Sequence, residues 1–76
     1  MFRFGKSPQE KEMEKLLADI QMNLENNYKD LAISARKLAQ ERLDELHGSG
    51  QLVGKPYERL KKELDSYTER MVGYHH

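Results

Sequence analysis

Asn23-Leu24-Glu25-Asn26-Asn27 lies midway along a stretch, Pro8 to His47, that contains no glycine and no further proline. Whether these five residues are helix or break decides the architecture. The residues on either side are mostly Glu, Lys, Leu, Ala, Gln, Met and Arg, the types with the highest intrinsic helix propensity. Asparagine is the exception, because its short amide competes for nearby backbone groups, and Asn27 followed by Asp30 has the pattern of a second helix start. With no loop residues at hand to reverse the chain, the simplest expectation is one helix over about 8–47, at most bent at the asparagines. That helix would hold about 39 residues and run roughly 58 Å at the α-helical rise.

Outward from the asparagines, both ends of the stretch carry stop and start signals. Ser7-Pro8-Gln9-Glu10 supplies an N-cap serine, a proline where a missing N–H costs nothing, and a glutamate at the third position, which together make a capping box. His47-Gly48-Ser49-Gly50 ends the helix, with Gly48 expected as the left-handed cap. A glycine-rich loop over 48–55 then leads to Lys55-Pro56 and a second helix over about 56–72, stopped by Gly73. At ~25 Å the second helix is less than half as long as the first. The expected fold is therefore all-α, a helical hairpin in a single domain over 1–76, with residues 1–7 as an N-terminal arm and 73–76 as a tail.

Apolar spacing sharpens the hairpin. Tyr57, Leu60, Leu64, Tyr67 and Met71 follow alternating steps of three and four, the pattern of a coiled-coil seam, and Leu38 of the long helix is expected to meet them. Leu17, Leu24, Leu31 and Leu38 recur every seven residues, with Met13, Leu16, Ile20 and Tyr28 beside them. A short second helix reaches back only to about Asp30, so the first half of the long helix has no cover from its own chain. Leaving Met13, Leu16, Leu17, Ile20 and Leu24 wet forfeits on the order of 10 kcal/mol, comparable with the whole stability of a small domain. The expected remedy is a homodimer in which the long helices cross antiparallel near Leu24 to Leu31 and each N-terminal half fills the groove of the other hairpin, with Met13, Leu16, Leu17, Ile20, Leu24, Tyr28 and Leu31 at the interface. Phe2 and Phe4 are candidates to cap that bundle.

Composition narrows the function classes. The 76 residues carry thirteen basic and thirteen acidic side chains and no cysteine, which removes disulfides, thiolate metal sites and cysteine nucleophiles. Net charge of zero argues against bulk attraction to nucleic acid or anionic membrane. No apolar run approaches the ~18 residues of a membrane-spanning helix, and the chain is expected to be cytoplasmic. No phosphate-cradling loop, dinucleotide fingerprint or nucleophile elbow is present. Asp44 and His47 have the spacing of a helical ligand pair, but a histidine in a last turn is favoured by the helix dipole alone. The expectation is a non-enzymatic, self-associating helical interaction module with no cofactor, no metal, no nucleic-acid or membrane partner, and an unidentified protein as its further partner.

One further pattern carries an alternative. Lys61-Lys62-Glu63-Leu64-Asp65, on the second helix of a hairpin, resembles the S-Q-E-L-D signature of the small hairpin phosphatases that act on aspartyl phosphates of the sporulation phosphorelay. The resemblance implies a regulator docking on a signalling protein, with Asp65 in an active role. Lysines stand at the serine and glutamine positions, and the N-terminal half has no counterpart in that family.

Overall fold

The computed structural model describes residues 6–74, with the side chain of Tyr74 excepted. Among them are three helices, α1 (Pro8–Glu25), α2 (Lys29–Gly48) and α3 (Gly54–Arg70), followed by a 3-10 turn at Val72–Tyr74. The long helix expected over 8–47 is thus two helices, and the break falls at the asparagines.

The reason is a single backbone dihedral. Asn27 adopts φ +63°, the only left-handed non-glycine residue among those described. Its N–H donates to Leu24 O at 3.1 Å, and the next N–H, that of Tyr28, reaches back to Asn23 O at 2.8 Å. This pair of bonds is the Schellman motif, with asparagine standing where glycine is usual. The same motif ends α2, where Gly50 (φ +78°) is the left-handed residue, Gly50 N donates to His47 O, and Gln51 N donates to Leu46 O. Gly48 is therefore part of the last turn rather than the left-handed cap. Such a turn satisfies its carbonyls with backbone alone, so reversal at Asn27 needs none of the loop residues whose absence favoured a continuous helix.

The start of α1 follows the capping-box pattern. Glu10 N donates to Ser7 Oγ, and Ser7 N donates to Glu10 Oε1, each at 3.2 Å. Gly54, at φ +70°, turns the chain into α3, and Pro56 sits in the first turn.

Polar contacts at the rim set the directions. Arg42 on α2 meets Glu12 on α1, and Gln9 near the start of α1 meets Gln51 just past α2, so α1 and α2 are antiparallel. Arg59 Nη2 donates to Glu10 and Glu14 at 3.2 and 3.1 Å, while Tyr67 OH donates to Gln21 Oε1 at 3.0 Å. Hence α3 runs parallel to α1, and the three helices form an up-down-up bundle.

Between them lies one apolar core. Met13, Leu17 and Ile20 come from α1, Ala32, Ala39, Leu43 and Leu46 from α2, Leu52 from the loop, Leu60 and Leu64 from α3, and Met71 just beyond it. Among the described residues no polar or charged amino acid is buried. The two alanines let α2 approach its neighbours closely, and the leucines fill the layers beside them.

This arrangement corrects the premise behind the expected dimer. Met13 and Ile20 are fully buried and Leu17 is 1% exposed, all within one chain. Leu16 and Leu24 pack against the same core. With three helices of 18, 20 and 17 residues, no half of a long helix is left uncovered.

Candidate interaction surface

Once the core is filled internally, what remains on the outside carries the functional argument. On α2 the inward residues are Ala32, Ala39, Leu43 and Leu46. Leu31 and Leu38 each lie one position before an inward alanine, hence ~100° round the helix and two turns apart on one edge. They are 57% and 55% exposed. Ala35, between them, is half-buried against the core.

Arg42 locates this edge relative to α1. It stands one turn beyond Leu38, and its Nε and Nη2 donate to the two carboxylate oxygens of Glu12 at 2.7 and 3.1 Å. Its Nη1 donates to Glu45 at 2.7 Å. A bidentate guanidinium fork fixes geometry as well as charge. The hydrogen bonds from Arg42 hold the Glu12 carboxyl below the usual carboxylate range, and those carboxylates in turn push Arg42 upward. With Glu12 opposite Arg42, the antiparallel register sets Leu16 level with Leu38 and Asn23 level with Leu31. The outer seam between α1 and α2 therefore carries an apolar strip of Leu16, Leu31, Ala35 and Leu38.

The seam residues expected from the sequence divide three ways. Met13, Leu17 and Ile20, expected at a dimer interface, are core residues of their own chain, while Leu16 and Leu24 are half-buried at its margin. Tyr28 and Leu31 are exposed. Leu38, expected in the hairpin seam, is instead 55% exposed, because α2 turns Ala39 and Leu43 into the core. From the same expected seam, Leu60, Leu64 and Met71 are buried, and Tyr57 and Tyr67 pack against the core from its edge.

The residues weighed for chemistry are engaged structurally. His47 stacks on Tyr57, with ring centroids 3.7 Å apart and planes 12° from parallel, and its Nδ1 donates to Leu52 O at 3.1 Å. The pair clamps the loop over 49–53 onto the end of α2. Asp44 accepts from Gln40 at 3.0 Å. Among the described residues no group of three or more His, Asp or Glu side chains is placed to hold a metal ion. Asp65 accepts from Lys61 Nζ at 3.1 Å on the solvent side of α3, and that bond raises the lysine. Lys61 occupies the position that the hairpin-phosphatase signature gives to serine. Phe2, Phe4, His75 and His76 lie outside the described residues.

None of the described helices is long and apolar enough to cross a membrane. Comparison with known protein families, curated proteins and solved structures found no match to the chain. The functional reading accordingly rests on the surface just described.

Proposed function

We propose that the chain is a non-enzymatic helical interaction module whose contact surface is the outer α1–α2 seam. One observation carries this reading: two leucines seven residues apart on α2, on the edge that faces α1, stand more than half exposed. Scattered single hydrophobes need no explanation on a protein surface, whereas an aligned apolar strip suits contact with another macromolecule. Three packed helices form a rigid platform for it, and the Glu12–Arg42–Glu45 bridge holds one end of the strip in register. Self-association, expected from the sequence through Met13, Leu17 and Ile20, no longer has those residues at its disposal, since they are spent on the core. A cytoplasmic location belongs to the same proposal.

The test is site-directed cross-linking in the native cell, with the wild-type chain and a Leu31→Ser, Leu38→Ser variant. Both substitutions are at exposed positions, so the variant is expected to keep wild-type helicity and its unfolding free energy to within about 0.5 kcal/mol. The expected result is an adduct formed by the wild type and lost in the variant. Identical adducts from both proteins refute the reading. An enzymatic regulator would replace it if the wild type hastened loss of phosphate from an aspartyl-phosphorylated receiver domain and Asp65→Ala did not.

A further inference from the structure

The outer seam has a charge sign as well as an apolar strip. Glu12 and Asp19, seven residues apart on α1, border Leu16 on the solvent side, and Glu41 and Glu45 on α2 border Leu38. Arg42 is the cation among these four carboxylates, and its charge is already shared between Glu12 and Glu45. One position further round each helix, Lys15 and Lys37 are offset in part by Asp30. Glu12, Asp19, Asp30, Glu41 and Glu45 against Lys15, Lys37 and Arg42 leave this apolar edge with a surplus of two negative charges in a chain of no net charge.

We propose that the seam receives an amphipathic helix of a partner protein whose apolar face carries leucine-sized side chains and whose flanks carry lysine or arginine. This rests on the interaction-module reading above and names the chemistry of the partner. Leu31 and Leu38 lie about 10.5 Å apart along α2, two helical turns, which matches anchors at i, i+3 or i+4, and i+7 of a docked helix. Carboxylates on both banks would steer a basic-flanked helix and fix its register. A second copy of this chain fits the seam poorly. Pairing α2 against α2 antiparallel through Ser34 and Ala35 sets Leu31 opposite Leu38, but it also brings Asp19 toward the Asp19 of the other copy. Like charges juxtaposed in this way select against the pairing. The same acidic banks repel an anionic lipid surface.

The experiment uses three designed helical peptides that share one leucine face and differ only in lysine, glutamine or glutamate on the flanks. Each is titrated against the whole chain by fluorescence anisotropy at low ionic strength. The lysine-flanked peptide is expected to bind roughly tenfold or more tightly than the glutamine one, with the difference shrinking at ~0.5 M salt. An Asp19→Asn, Glu41→Gln variant is expected to lose about threefold to tenfold for the lysine peptide alone. Equal binding of all three peptides, abolished by Leu31→Ser with Leu38→Ser, overturns the charge inference and leaves the docking face intact. A lysine preference that survives the two leucine substitutions overturns the docking face itself. Failure of every peptide to bind overturns the inference. So does a wild-type dimer that those leucine substitutions convert to monomer, since it assigns the seam to a second copy.

Discussion

Replacing Asn26 and Asn27 with alanine acts on the turn that divides α1 from α2, and the outcome follows from two opposed conformations of the same residues. In the closed bundle residue 27 sits at φ +63°. An L-residue with an ordinary Cβ gives up about 1–2 kcal/mol there. In an opened chain residues 26–28 would continue the helix, and each Asn→Ala change favours that state by up to ~0.7 kcal/mol. Together these shift the balance by about 2–3 kcal/mol per hinge. Opening alone strips α1 from the core, so the opened chain is stable only if its α1 fills the corresponding place in a second molecule. Such an exchange keeps every core contact and changes only the hinge. Two hinges per exchanged dimer make the shift about 4–6 kcal/mol, or three to four powers of ten in dissociation constant. Sedimentation equilibrium over a concentration series is the assay, with far-UV circular dichroism to register the added helix at residues 26–28. The double variant is expected to dimerise at concentrations where the wild type is monomeric, whereas Asn27→Gly, which suits the left-handed turn, stays monomeric. A double variant that remains a monomer with an unaltered unfolding midpoint refutes the argument.

Other expectations are simpler to state. Ser7→Ala removes the side chain that accepts from Glu10 N, and should lower stability by about 0.5–2 kcal/mol in denaturant titrations, with the slope unchanged. Leu43→Ala empties a fully buried core position, and should cost about 2–5 kcal/mol, read as a fall in unfolding midpoint without loss of the seam. Acid should weaken the bundle in a defined window. Glu12, bonded by Arg42, and Glu14, bonded first by Lys6 and then by Arg59, both titrate below their ordinary value of 4.5 in the folded chain. The unfolded chain therefore takes up protons first, so this stabilisation is present above about pH 4.5 and is lost as pH falls through the folded values. Thermal midpoints that hold steady from pH 6 to well below 4 would remove the rim bridges from the account.

The elements themselves were largely legible from the sequence, since Ser7-Pro8-Gln9-Glu10 announces α1, the glycines after His47 announce the end of α2, and Leu60 and Leu64 mark the inner side of α3. What could not be read was the reversal at Asn27. A Schellman turn is closed by backbone bonds, so its only sequence requirement is one residue tolerant of positive φ, and an asparagine in a helix-rich stretch signals that weakly. The same event hid the surface. Leu17, Leu24, Leu31 and Leu38 read as one heptad row, but the turn resets helical phase, so the first two face inward and the last two outward. From the unbroken row came both the supposed shortage of cover over Met13 to Leu24 and the assignment of Leu38 to the hairpin seam. The acidic banks were not legible as a unit, because Glu12 and Asp19 join Glu41 and Glu45 only through the antiparallel register.

The methionines sit in sharply different surroundings, with Met13 fully buried, Met71 6% exposed and Met22 52% exposed. Peroxide converts an accessible thioether to a sulfoxide, which is too polar for an all-aliphatic interior. Oxidation should therefore strike Met22 while the fold is intact and reach Met13 only when the helices part. The rate at which mass spectrometry finds oxygen on Met13 relative to Met22 is then a direct clock for the opening of this bundle, readable without any added label.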